Sequence, residues 1–228
     1  MLNNKKGTII MDMDEVLVNI SPALYRSIRL KWPRFSPFFK DLGPLSDKEI
    51  FNREEFEIIK WLIKDDVKED PLIVAYLRSL LFTEFFNTDI YKNLTPTHFA
   101  QVTLMNDAFI ENSAIDKVFI LSRVVPGAKQ MTDSKLAFIN HFFPNKKIHP
   151  IFIEEGTKGE AINKHGIDFS LLVDDEIMNI LSIVNEVDIS GKEFLVPSMG
   201  YNKIHQSTLT LIRNKNATIS TFIPEEQN

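Results

Sequence analysis

A chain of 228 residues, 44% hydrophobic and 25% charged, can build one sizeable core or a core carrying a smaller inserted domain, and no run of about 18 apolar residues offers a membrane span. The formal charge of −5 gives no general attraction to a polyanion, so a long nucleic acid is not an expected partner, whereas a local site for a small anion is compatible with it. The absence of cysteine excludes disulfides, zinc–thiolate centres and cysteine nucleophiles and fits a reducing compartment; with a polar, basic start from Met1 to Gly7 that does not read as a signal peptide, it leads to the expectation of a cytoplasmic protein.

In chain order, Thr8 to Met11 is a short apolar run that ends at an acidic turn, after which Val16 to Val18 resumes. This is the pattern of a buried strand delivering Asp12 at its C-terminal end. From Ile20 to about Asn93 there are helix signals and no convincing strand. Ser21-Pro22 reads as an N-cap followed by a first-turn proline. Ser46-Asp47-Lys48-Glu49 is a capping box, predicting a helix that runs on to about Lys64, and another is expected from Pro71 to Leu81. Thr95-Pro96 opens a helix to about Asn112. Val118 to Leu121 is the second strand, ending at Ser122. Lys135 to Phe143 follows as a helix with Leu136, Ile139, Phe142 and Phe143 on one side and Pro144 as terminator. Ile151 to Ile153, Phe169 to Val173 and, more weakly, Phe194 to Val196 complete five strands. The apolar spacing of Gln206 to Ile223 permits a closing helix. Strands alternating with helices from residue 118 onward imply an α/β fold with a parallel sheet flanked by helices. The helical stretch then reads as an insertion, residues 20–93, in a core made of 1–19 and 94–228.

Ligands of open parallel sheets bind beyond the C-terminal ends of the strands. Here those ends present Asp12 and Asp14, then Ser122 and Arg123, then Thr157 and Lys158, then Asp174 and Asp175. Four carboxylates on one rim repel one another and call for a cation. Oxygen donors without His or Cys suit magnesium. Each residue also has a plainer reading: Asp12 and Asp14 as a solvated turn, Asp174-Asp175 as the cap of the following helix, Lys158 as a surface charge. Gly156-Thr157-Lys158-Gly159 lacks the glycine-rich run of a P-loop, so nucleoside triphosphate hydrolysis is not expected. The five histidines show no ligand spacing.

Taken together and in order, Asp12-Met13-Asp14-Glu15-Val16-Leu17, Ser122, Lys158 and Asp174-Asp175 resemble the four motifs of the haloacid dehalogenase-like phosphatases. Ile90 to Pro96, Asp133 to Phe138 leading to Phe143-Pro144, Leu171 to Asp175 and Tyr201-Asn202 are similar, more narrowly, to segments of the 5′(3′)-deoxyribonucleotidases. The resemblance implies a Rossmann-like core, with the insertion as a small helical cap closing over the site. It also implies a magnesium-dependent phosphomonoesterase acting on nucleoside monophosphates, deoxyribonucleoside ones foremost, through an aspartyl phosphate. In that scheme Asp12 is the nucleophile and Asp14 the general acid and base. Mg2+ is held by Asp12, the Asp14 carbonyl and Asp175, with Asp174 supporting from behind. Ser122 and Lys158 bind phosphate, and Arg123 either joins them or points away. Glu15 stands where the family often has glycine. Nine rings of the insertion, Phe35, Phe38, Phe39, Phe51, Phe56, Trp61, Phe82, Phe85 and Phe86, are candidates for stacking on a base. The partner is then a small phosphorylated substrate, and a homodimer is compatible with the sequence. The alternatives are a phosphatase of another small phosphomonoester or of a nucleic-acid end, and a phosphate-binding module without turnover.

Overall fold

The structure is a computed structural model that describes residues 7–111 and 114–222. The polar start of the chain, the expected helix end at Asn112 and the closing Ile223 lie outside these residues. Strand β1 (Gly7–Met11) leads into a helical region of short segments: α1 (Ile20–Leu30), α2 (Trp32–Phe35), α3 (Asp47–Phe51), α4 (Ile58–Leu62), α5 (Asp65–Lys68) and α6 (Pro71–Leu81). A π-helical turn at Phe82–Phe86 and a 3-10 turn at Ile90–Asn93 end it. Then come α7 (His98–Val102), α8 (Asp107–Ile110), β2 (Ile115–Arg123), α9 (Lys129–Phe142), β3 (Ile148–Ile153), α10 (Lys158–Lys164), β4 (Leu171–Val173), α11 (Ile177–Glu186), β5 (Glu193–Pro197), α12 (Gln206–Asn214) and β6 (Thr218–Phe222).

The six strands form one all-parallel sheet in the order β3-β2-β1-β4-β5-β6. The chain builds outward from β1 in one direction and from β4 in the other, so the topological switch point lies between these two neighbours, where an open α/β sheet has its crevice. Alternation along the strands covers both faces. Ile9, Met11, Leu171 and Val173 face the core shared with α9 and the helical region, while Ile10, Leu172, Phe194 and Val196 face the layer of α10, α11 and α12. Pro150 sits inside β3, which is tolerated because β3 is an edge and a missing N–H there breaks no central ladder. No helix among the described residues is long and apolar enough to cross a membrane.

Several expected elements differ, each for a physical reason. Val16 to Val18 does not resume the strand. The Met13 carbonyl accepts from Leu17 and Val18 N–H (2.8 and 3.1 Å), turning the chain back on itself, and Val18 bridges Pro96. α1 begins at Ile20 with Asn19 as N-cap, because the Ser21 N–H is taken by the Glu15 carboxylate. The capping box of Ser46 and Glu49 forms, yet α3 stops at Phe51: Arg53 takes the Ile50 carbonyl and Gly200 N–H the Phe51 carbonyl. The helix expected from Thr95 is capped at Thr97 and breaks at Thr103 into α7 and α8. α9 starts six residues early, and Leu136 is exposed while Ser134 and Lys135 are buried. The stretch from Gln206 is a helix only to Asn214, and its remainder is the edge strand β6, rich in β-branched residues.

Candidate active site

Asp12 is the first residue beyond β1, with its N–H on the Val173 carbonyl of β4 (2.8 Å), so the backbone ladder itself fixes it at the switch point. The turn after it closes through Glu15 N–H to the Val18 carbonyl (2.8 Å) and holds Glu15 at φ 60°, a left-handed conformation that costs a non-glycine residue about 1 kcal/mol or more. Asp174 and Asp175 follow β4 directly. The Asp174 Oδ1 accepts from Glu176 N–H (2.9 Å) and the Asn179 amide (3.2 Å), so Asp174 closes a short turn ahead of α11, whose own cap is Glu176. Lys158 is the first residue of α10, aimed inward by the capping box of Thr157 and Glu160.

These elements bring one oxygen each of Asp12, Asp174 and Asp175 within 4.8 Å of one another. The Lys158 ammonium lies between two of them, 2.7 Å from Asp12 Oδ1 and 2.6 Å from Asp174 Oδ2. Burial alone pulls that ammonium's pKa down, but the two carboxylates raise it above its ordinary value. Burial pushes the Asp12 carboxyl up to about 7, against the pull of Lys158 and with the push of Asp174 and Asp14. Asp175 is raised well above the carboxylate range by burial and then by Asp12 and Asp174. Its Oδ2 accepts from the Tyr201 hydroxyl (2.8 Å) and its carbonyl from Asn202 (3.1 Å).

The Asp14 carboxylate is held on both oxygens, by the Tyr91 hydroxyl (2.8 Å) and by the Lys135 ammonium (2.7 Å). Lys135 is fully buried and also donates to Ser122 Oγ (2.7 Å) and the Arg123 carbonyl (3.0 Å). Because Ser122 Oγ accepts from Lys135, its own proton is free to face an anion. Arg123 lines the cavity above, with the side chain exposed. The structure thus gathers Asp12, Asp14, Ser122, Arg123, Lys158, Asp174 and Asp175 at one end of the sheet.

Lys135, Tyr91, Tyr201 and Arg53 are the residues that sequence reasoning assigned no role. Lys135 was detectable in principle, since it falls on the buried stripe of α9 with Met131, Phe138 and Ile139, where a lysine needs a partner. Tyr91 sits in the 3-10 turn and Tyr201 in a loop, and Arg53 follows a helix end; their contacts to Asp14, Asp175 and Ser21 are distant in sequence.

Above these groups is a cavity of about 300 Å³. Its apolar wall is Ile20, Leu24, Phe56, Ile58, Ile59 and Phe86 from the helical region. Of the nine candidate rings only Phe56 and Phe86 line it; Phe35, Phe39 and Phe85 are buried in the packing between helices.

As a metal site the donor set is consistent with a hard divalent cation. Around it the ionised carboxylates Asp12, Asp14, Glu15, Asp174 and Asp175 outnumber the cations Lys135, Lys158, Arg53 and Arg123. Of the acidic trio, Asp174 already accepts from three protein donors, whereas Asp12 faces Lys158 and Asp175 the Tyr201 hydroxyl, so Asp12 and Asp175 have more lone pairs to offer a cation.

No protein-family model matches the chain, and no curated protein is significantly similar to it in sequence. Among solved structures it is similar to a haloacid dehalogenase-like hydrolase of Burkholderia xenovorans, with 12% identity over 95% of both chains and a TM-score of 0.44. A protein of Bacteroides vulgatus described as a beta-phosphoglucomutase shares 15% identity over 94% of this chain and 84% of its own, with a TM-score of 0.44. A haloacid dehalogenase-like family hydrolase of Xanthomonas campestris shares 9% identity over 89% and 87%, with a TM-score of 0.43. These likenesses are distant, and the chemistry of the site is read from its own geometry.

Proposed function

We propose that the chain is a magnesium-dependent phosphomonoesterase of the haloacid dehalogenase-like kind, removing phosphate from nucleoside monophosphates through a phosphorylated Asp12. The observation that carries this reading is the buried Lys158 between Asp12 and Asp174 at the switch point, with Asp175 beside them and Ser122 on the next strand. Mg2+ would be held by Asp12, Asp175 and the Asp14 carbonyl, and when bound it neutralises charge on the phosphoryl oxygens. An Asp12 oxygen attacks phosphorus, and the bond from phosphorus to the ester oxygen breaks. Asp14, carrying the proton it took from water in the preceding turnover, gives it to that leaving oxygen. Water then attacks the aspartyl phosphate, Asp14 takes the water's proton, and free phosphate leaves Asp12 regenerated. Lys158 and the Ser122 proton stabilise the phosphoryl charge in both steps. Lys135 and Tyr91 set the orientation of Asp14. The apolar wall with Phe56 and Phe86 supports a nucleoside as the leaving group, because its flat base can pack there while the phosphate reaches Lys158.

The test is phosphate release from nucleoside monophosphates and sugar phosphates with Mg2+, comparing the protein with Asp12→Asn. Release confined to nucleotides, lost on chelation and reduced by at least about a thousandfold in Asp12→Asn, is the expected result. Release that survives Asp12→Asn sinks the aspartyl-phosphate route, and release from sugar phosphates alone sinks the nucleotide assignment.

A further inference from the structure

Two polar atoms at the cavity have no task in the phosphate chemistry. Glu15 is 7% and Arg53 4% exposed, and both line the cavity. Glu15 accepts from Ser21 N–H (2.6 Å) on Oε1, while its Oε2 is buried without a partner. Arg53 directs Nη1 to the Ile50 carbonyl (2.9 Å) and Nη2 to the Phe56 carbonyl (3.0 Å) and the Ser21 hydroxyl (3.1 Å), while its Nε is buried without a partner. The free atoms do not bond to each other, and Ser21 touches both side chains. Backbone, serine and cation–π contact with Tyr201 (4.4 Å) fix the two groups in place. Buried polar atoms are nearly always satisfied, so an acceptor and a donor both left over at one substrate wall point to a ligand that satisfies them.

A ligand hydroxyl does so from one atom: it donates its proton to Glu15 Oε2 and accepts from Arg53 Nε–H. Its position along the ligand follows from the chain. Glu15 is three residues past Asp12 and lines the same cavity as Asp12, Asp14, Lys158 and Asp175. The hydroxyl therefore belongs to the part of the leaving group next to the phosphate, not to its far end. In a nucleoside 5′-monophosphate that part is the sugar, and in a deoxyribonucleotide its one hydroxyl is at 3′.

We propose that Glu15 and Arg53 form a hydroxyl-binding subsite that selects phosphomonoesters by a sugar hydroxyl near the phosphate. This rests on the phosphomonoesterase reading and extends it to one specificity-determining pair, with Glu15 from the core turn and Arg53 from the helical insertion. The same hydroxyl occurs in nucleotides and in free sugar phosphates.

The test compares kcat/KM of the full chain with Mg2+ on thymidine 5′-monophosphate, its 3′-deoxy analogue and 2-deoxyribose 5-phosphate. Loss of the 3′-hydroxyl is expected to lower kcat/KM at least about tenfold, because the two buried groups are then left unpaired. In Glu15→Gln the side-chain oxygen keeps the Ser21 contact and an NH2 replaces the free acceptor, so the preference for the hydroxyl is expected to shrink towards unity; Arg53→Lys is expected to shrink it as well. Turnover of 2-deoxyribose 5-phosphate equal to the nucleotide makes a free sugar phosphate the source of the hydroxyl, and turnover of the nucleotide alone makes it the nucleotide. Equal kcat/KM on the hydroxylated and 3′-deoxy nucleotides overturns the subsite and leaves the phosphatase standing. Equilibrium binding of the same two nucleotides to Asp12→Asn gives the comparison without catalysis. At least about tenfold weaker binding of the 3′-deoxy nucleotide supports the subsite even if no phosphate is released, and equal binding, or none of either, overturns it.

Discussion

Asp12 and Glu15 lie in one tight turn, and burial pushes both carboxyls up to about 7 from ordinary values near 4. An acid whose pKa is higher folded than unfolded binds more protons in the native state between those two values, so stability falls as pH rises from about 4 to about 7 and levels off above. For Glu15 the displacement from 4.5 to about 7 corresponds to roughly 3 kcal/mol, at about 1.4 kcal/mol for each unit. The metal-free protein is therefore expected to melt at a lower temperature at pH 8 than at pH 5, and Glu15→Gln to reduce that fall. Added Mg2+ should raise the melting temperature more at pH 8, where Asp12 and Asp175 are ionised enough to hold it. A melting temperature that does not change across this range in either protein contradicts the burial of these charges. Single residues differ in how far the sequence reveals them. Asp12 and the pair Asp174-Asp175 are readable because each directly follows an apolar run that becomes a strand. Lys135 is readable only from its helical phase, and the pairing of Tyr201 with Asp175, 26 residues apart, leaves no local trace.

At the scale of elements, a loop after β5 adds a backbone contact to the apolar core shared by the helical region and the sheet. Gly200 donates its N–H to the Phe51 carbonyl (3.0 Å), and a Cβ there would overlap the carbonyls of Asn52 and Arg53, which are backbone and have little room to move. Gly200→Ala is expected to destabilise the fold by about 1–3 kcal/mol, measured by urea unfolding. It is also expected to weaken Mg2+ binding, since the next residue, Tyr201, holds Asp175 on one side and on the other packs edge-to-face with Phe56 and under the Arg53 guanidinium. A variant as stable as the parent would show that this loop does not fasten the two parts. The same contact explains why the capping box at Ser46 marks a helix start but the apolar spacing after it misplaces the end. Propensity continues past Phe51, yet the carbonyls of Ile50 and Phe51 are claimed by Arg53 and by Gly200, and α3 ends. β6 escaped notice for the opposite reason: an edge strand with only two partly buried apolar residues carries little alternation to detect.

For the whole molecule, the all-parallel sheet and its α/β class are legible because buried central strands read as continuous apolar runs separated by helical patterns. The strand order is not written in those runs; it arises from crossovers that lead outward first from β1 and then from β4. That order places Asp12 and Asp174 at the ends of neighbouring strands at the switch point, 162 positions apart in the chain, and makes the lysine between them the centre of the site. The central claim is that phosphate is transferred to Asp12. It is tested most directly by mixing the protein with excess nucleoside monophosphate and Mg2+, quenching in acid within milliseconds, and locating phosphate on its peptides by mass spectrometry. Transient phosphate on the peptide carrying Asp12, absent from Asp12→Asn and from a sample lacking Mg2+, is the result expected; phosphate release with no phosphorylated peptide at any time, under conditions that preserve an acyl phosphate, would contradict it.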